Sequence, residues 1–340
     1  MISTSIQNNS KRDKSLDYIK GMLIFFVVYG HCLYWMGEGI QEPYTFIAKF
    51  VYSFHMPLFI LLSGYFFSPK KGDNIIKNSF GRFKRLIIPH FFFNFVMIVP
   101  IFLFWEQYGH FITRETNGFI TVKSIYLYLT MFWFLWCVFL SSVICNIVYR
   151  TCKRYPEIIC ISLSLLFLAL SQFIPFRFFF VHQRMSDMFF YFIIGVYLYD
   201  HNKLLNSNTI LFTSFIIYIS YLFILYKNYD IHPLIVEISQ LCGAITIYTV
   251  IKYLYISKFA LSLFLFFSKW SLGIYIYHFV LLYGIMGWFN NTFGFLNNSL
   301  VFYHILIATL STTISAYFSK VLASFYPLSK FALGYKSISK

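Results

Sequence analysis

The sequence predicts an all-α, polytopic integral membrane protein of about ten transmembrane helices, with both termini in the cytoplasm. Three observations carry that prediction. Hydrophobic residues make up 59% of the 340 and charged ones 11%, less than half of the roughly 25% that keeps a soluble chain in water. The apolar residues fall in continuous runs of the length, about 20 residues, that a helix needs to cross a bilayer core, and not in the alternating pattern of a membrane barrel. Lys and Arg then gather on alternate connections, as the positive-inside rule requires. The same composition excludes disorder, collagen, coiled coils, small disulfide scaffolds and a two-domain soluble enzyme.

Ten runs meet the length criterion, at about 16–36, 46–67, 86–105, 124–148, 157–175, 187–200, 208–226, 233–256, 261–289 and 300–325. The sixth is short. The ninth is long and contains Lys269, so its first part is expected along the interface, with the span proper starting at Ser271. The first run is not a cleaved signal peptide, since Asp17 and Lys20 stand near its start and no A-x-A exit follows. With the N-terminus inside, 21 of the 27 basic residues lie on the cytoplasmic side, and only Lys49, Arg114, Lys123, Arg177, Arg184 and Lys227 outside. The net charge of +15 is therefore a topology signal, and no nucleic-acid partner is expected. Residues 1–340 read as one transmembrane domain with cytoplasmic tails at 1–15 and 327–340, since no connection is long enough to fold alone. No repeat and no mirrored halves are visible. The six cysteines, at 32, 137, 145, 152, 160 and 242, read as small buried hydrophobes kept reduced. No metal-ligand spacing occurs, so no metal is expected.

Inside lipid an ionisable side chain is expensive unless it is paired or faces a cavity, and each is a site candidate. The first run reads SLDYIKGMLIFFVVYGHC. Lys20 and His31 are three helical turns apart on one face, separated by about 16 Å along the axis. Gly21 and Gly30 thin the helix beside them. Lys20 is either an anchor at the membrane edge or part of a site. The second run reads YSFHMPLFILLSGYFF, and His55 reaches a depth comparable with His31. Two such histidines make either a general base with its hydrogen-bond partner or a structural pair. Pro57 removes a backbone donor two residues later, and Ser63 and Gly64 suit tight helix contact. The third run opens with GRFKRLIIPH, where Arg82 and Arg85 stand one turn apart beside Lys84, with His90 deeper. Guanidinium forks hold phosphate oxygens bidentately, and the same residues also satisfy the positive-inside rule. Trp133, Trp136 and His278 are candidates for a substrate pocket, with His304 near the outer end of the last run. Glu237 is the most isolated acid in a run and a candidate partner for a histidine. No G-x-S-x-G, H-E-x-x-H, Walker or Rossmann pattern occurs.

Taken together, SLDYIKGMLIFFVVYGH, FHMPLFILLSGYFF with the basic run after it, RFKRLIIPHFF and WSLGIYIYHFVLL resemble the membrane acyltransferase 3 family, and within it the fucose 4-O-acetylase-like branch. The segments stand in that family's order and cover about a quarter of the chain. The resemblance implies transfer of an acyl group, most often acetyl, from cytoplasmic acyl-CoA to a hydroxyl of an envelope carbohydrate such as O-antigen, capsule or exopolysaccharide. It implies that His31 is the essential histidine and that Arg82 and Arg85 are the family's arginine pair. Its basic residue ahead of that histidine is typically arginine, where this chain has Lys20, which keeps the charge without the fork.

The expected mechanism follows. Arg82 and Arg85, with Lys20, hold the phosphates of acetyl-CoA, a cosubstrate rather than a resident cofactor. The pantetheine arm carries the thioester inward. His31, oriented by His55, takes the proton of a sugar hydroxyl as it attacks. The expected partners are acyl-CoA, a carbohydrate acceptor (lipid-linked or not) and membrane lipids, in a bacterial inner membrane. The competing reading is a transporter or flippase of lipid-linked sugars that uses the same histidines as a proton relay.

Overall fold

A computed structural model describes residues 14–35, 44–67, 75–103, 132–152, 154–171, 185–254, 257–292, 301–326 and 328–334. All regular structure among them is helical. The first helices are α1 (Lys14–Trp35), α2 (Tyr44–Tyr65), α3 (Ile75–Leu103), α4 (Trp133–Thr151), α5 (Pro156–Leu170) and α6 (Met185–Asp200). A short 3-10 turn (Asn202–Asn206) leads into α7 (Asn208–Tyr226), α8 (Pro233–Tyr253), α9 (Lys258–Lys269), α10 (Ser271–Thr292), α11 (Val301–Ser324) and α12 (Leu328–Leu333).

Six of these helices are long and apolar enough to cross a membrane, and up to seven if α9 and α10 count as one broken span. The chain is an integral membrane protein. The remaining three of the ten expected spans coincide with α3 and with the shorter α5 and α6. The start of the fourth expected span, at 124–131, and both tails beyond 14 and 334 lie outside the described residues. So do Arg114, Lys123, Arg177 and Arg184, four of the basic residues assigned outside.

The break between α9 and α10 is a 90° turn at Trp270. If α10 spans the membrane, α9 lies across its end, which is the arrangement expected of a segment with Lys258 and Lys269 at its tips. Ser257 caps α9 by accepting from the Ala260 amide at 3.2 Å.

Helix α1 is the hub. It packs against α2, α9, α10 and α11, and 67% of its apolar stretch is buried. By contrast α7 is the most apolar of the spans yet only 17% buried, because its Ile and Phe side chains face lipid. Glycines set the closest approaches. Gly64 of α2 lies against the Phe192 carbonyl of α6, and Gly195 of α6 lies against the Leu61 carbonyl of α2, so a Cβ on either would overlap the opposing backbone. Gly21 of α1 meets the Phe264 backbone of α9 in the same way. Pro57 sits inside an unbroken α2.

The two ends of the bundle are identifiable without reference to a membrane. At the close of α2, Tyr65 stacks edge-on with Tyr199 at the close of α6 (5.5 Å), and the Arg82 guanidinium lies 4.4 Å over the Phe67 ring. At its start, Lys49 bonds Asn228 in the α7–α8 turn. The end carrying Phe67 and Arg82 is called the basic end below.

Candidate functional site

A cavity of about 190 Å³ opens at the basic end. Lys20 of α1, Arg82 and Arg85 of α3, Ser63 of α2, and Ser271 and Tyr275 of α10 line it, with Phe134, Leu135 and Val138 of α4 as its apolar wall. Three cations therefore share one wall of a space whose opposite wall is dry. The α3 residues face it because 82, 85 and 86 lie along one stripe of a 3.6-residue helix. Burial first, then the charge of Arg85, pushes the Arg82 guanidinium down to about 10. It stays protonated at neutral pH, and an anion placed between the two guanidiniums would relieve both costs.

Arg85 is held from behind. Pro89 has no amide to donate to the Arg85 carbonyl, and Gly334, at φ +62, packs against that carbonyl. A side chain at 334 would be strained by its left-handed backbone and would overlap Arg85. The Tyr277 hydroxyl donates to the Ala332 carbonyl at 3.1 Å and ties α12 to α10.

His31, His55 and His278 are not among the residues that line the cavity, and they group beyond Tyr275. Tyr275 lines the cavity, and its ring is 6.1 Å from that of His278, one turn further along α10. The His278 ring lies 5.3 Å from His31, and Phe279 packs against both, at 4.4 and 4.7 Å. His55 is within electrostatic reach of His31. Tyr52 stands between these two, 5.0 Å from the His55 ring and 6.5 Å from the His31 ring. His55 Nδ1 bonds the Val51 carbonyl at 2.6 Å, and His278 Nδ1 bonds the Ile274 carbonyl at 2.9 Å. A carbonyl only accepts, so both rings carry a proton on Nδ1, and each Nε2 is a lone pair. His278 Nε2 makes no hydrogen bond. His55 and His278 are 1% and 0% exposed, whereas His31 keeps accessible surface. Of the three, His31 is the residue that is not fully buried.

Two sequence candidates lie elsewhere. Trp133 and Trp136 are not part of the cavity lining. The Trp136 indole instead donates to His90 Nε2 at 3.4 Å, beside Asn94, whose amide nitrogen is 3.3 Å from the same atom. His304 is buried on α11, where its carbonyl accepts from the Cys32 thiol at 3.7 Å. The carboxylate of Glu237 accepts from the Tyr191 hydroxyl of α6, which also reaches Gln240. A tyrosine from another helix thus meets that acid near the start of α8. No group of three His, Cys, Asp or Glu side chains among the described residues is arranged to hold a metal. Sequence reasoning overlooked Tyr275 and Ser271, although their spacing from His278 (i−3 and i−7) is the signal of one helix face.

The family model for an acyltransferase domain, Acyl_transf_3, matches residues 13–320. Among curated proteins, the nodulation protein NolL of Mesorhizobium japonicum is 30% identical over 149 residues, 41% of this chain and 36% of the relative. NolL of Sinorhizobium fredii is 30% identical over 148 residues, 39% of this chain and 35% of the relative. These alignments span about a third of the length of the relatives. No solved structure matches.

Proposed function

We propose, because the chain belongs to the acyltransferase domain family matched over residues 13–320, that it transfers an acyl group, acetyl in the simplest case, from cytoplasmic acyl-CoA to a hydroxyl of an envelope or lipid-linked carbohydrate. The observation that supports this reading is the closeness of the histidine group to the cation-lined cavity, whose lining it does not itself join. Tyr275 belongs to the cavity wall, His278 is one turn away, and His31 is in contact with His278. Phosphate-binding chemistry in the cavity and a candidate base beside it are thus two packed side chains apart.

At 190 Å³ the cavity is smaller than the 300–1,000 Å³ typical of sites that enclose a drug-sized ligand. It suits a thin acyl-pantetheine arm, with the nucleotide at the mouth on Arg82, Arg85 and Lys20. Arg–phosphate contacts are charge-assisted and, where bidentate, directional. The hydroxyl oxygen attacks the thioester carbonyl, and its proton passes to His31. The tetrahedral intermediate collapses, the C–S bond breaks, and the proton held by His31 goes to the departing thiolate. The acyl ester and free CoA are the products. In this reading His278, with its Nδ1–H fixed by Ile274, orients the His31 ring it packs against and accepts from it through Nε2 when His31 is charged. This assigns to His278 the supporting role that sequence alone gave to His55.

The test is differential. Purified protein should gain thermal stability with CoA, and the gain should shrink in Arg85→Ala while persisting in His31→Ala. Acyl transfer should be lost in both. Full transfer by His31→Ala refutes the base assignment, and absence of any CoA effect in the unaltered protein refutes the donor.

A further inference from the structure

The seam between α3 and α4 holds a second polar group that the reaction described above does not use. His90 and Asn94 are one turn apart on α3, 0% and 2% exposed, with Phe91, Phe132 and Trp136 around the imidazole at ring distances of 5.3, 5.5 and 6.1 Å. The Trp136 indole N–H can only donate, so His90 Nε2 accepts and a neutral ring carries its proton on Nδ1. That Nδ1 has no hydrogen-bond partner, and neither has Asn94 Oδ1. The contrast with the other buried histidines is internal to the molecule. His55 and His278 each satisfy Nδ1 with the carbonyl four residues back, while His90 does not.

We propose that His90 and Asn94 form a hydroxyl-binding subsite for the carbohydrate acceptor. The inference rests on the reading of the chain as a carbohydrate O-acyltransferase. Hydroxyls are the groups that match: one accepts from His90 Nδ1–H, and a neighbouring hydroxyl of the same sugar donates to Asn94 Oδ1. A phosphate, which only accepts, leaves Asn94 unpaired, and an ammonium, which only donates, leaves His90 unpaired. Phe132 links the subsite to the base: its ring lies 6.1 Å from Phe279, which is 4.7 Å from His31. The subsite works by selection, since a site built to bond a hydroxyl rejects analogues that lack it far more strongly than an apolar pocket does.

The experiment uses the full-length protein in detergent and three probes, methyl α-fucoside, methyl α-glucoside and methyl α-rhamnoside, read by thermal shift. At least one glycoside should stabilise the unaltered protein. Its apparent Kd should rise about 10-fold or more in His90→Phe and in Asn94→Leu, since each step of 1.4 kcal/mol is tenfold, with the CoA-induced shift retained. Asn94→Asp keeps an acceptor oxygen and should bind more tightly than Asn94→Leu, which preserves the comparison if the leucine variant folds poorly. Stabilisation by none of the glycosides, or equal affinity in all variants, overturns the subsite; in the latter case the pair holds a structural water only. Loss of the CoA effect with glycoside binding intact would instead remove the proposed donor and leave the subsite standing.

Discussion

At the scale of single residues, three imidazoles differ in what they can reach. His55 and His278 are each pinned by a backbone carbonyl and sealed, while His31 retains surface. His31→Ala should therefore lower the transfer rate by the 10²–10⁴ that a positioned base contributes. His278→Ala should cost less and leave a measurable rate, because it removes support for the imidazolium and not the proton acceptor itself; single-turnover kinetics distinguish the two. Arg85→Ala should weaken CoA about 10–100-fold, the value of one charge-assisted hydrogen bond of roughly 1.5–3 kcal/mol, as read by titration. Much of this site was legible in the sequence because lipid makes every ionisable group conspicuous. Lys20, Arg82 and Arg85 stood out as cations and do line one cavity. The contact of His278 with His31 was not legible, since its own helix is more than two hundred residues from α1 in sequence. The bond from Tyr191 to Glu237 was hidden in the same way: Tyr191 is one aromatic in a chain with 28 tyrosines, and nothing local marks it.

At the scale of elements, the arrangement depends on where backbones touch. The α2–α6 crossing uses Gly64 and Gly195 reciprocally, so Gly64→Val forces the two helices apart. Overpacking of that kind costs about 1–3 kcal/mol or more, and the variant should show a lowered Tm together with a weaker CoA response, since Ser63 beside it lines the cavity. Gly334→Ala probes a different link. The methyl would meet the Arg85 backbone from a left-handed conformation that alanine resists. CoA affinity should fall while His31-dependent chemistry at saturating CoA persists, a KM effect without a kcat effect. The tie between α12 and α3 could not be read from sequence: position 334 announces a turn, and only the fold shows that the turn rests on the carbonyl released by Pro89. The 90° break at Trp270 was foreshadowed by Lys269, because a cation midway through an apolar run cannot sit at the bilayer centre cheaply.

At the scale of the whole molecule, the reaction requires that the basic end face the supply of acyl-CoA, and geometry makes this testable without assuming any topology. Asn202 follows α6, whose end lies beside the end of α2 through Tyr199 and Tyr65, so it marks the basic end. Asp230 lies in the α7–α8 turn beside Asn228, which binds Lys49 at the opposite end of α2. From Lys49 to Tyr65 the helix axis rises about 24 Å at 1.5 Å per residue, most of a bilayer core. Asn202 and Asp230 are exposed, and of the native cysteines only Cys152 is more than slightly accessible. In a Cys152→Ser background, an impermeant maleimide applied to intact spheroplasts should label Asp230→Cys at once and Asn202→Cys only after permeabilisation. The reverse pattern would turn the cavity of Lys20, Arg82 and Arg85 away from cytoplasmic CoA, and a protein so oriented could not draw its acyl group from that pool, whatever its histidines do.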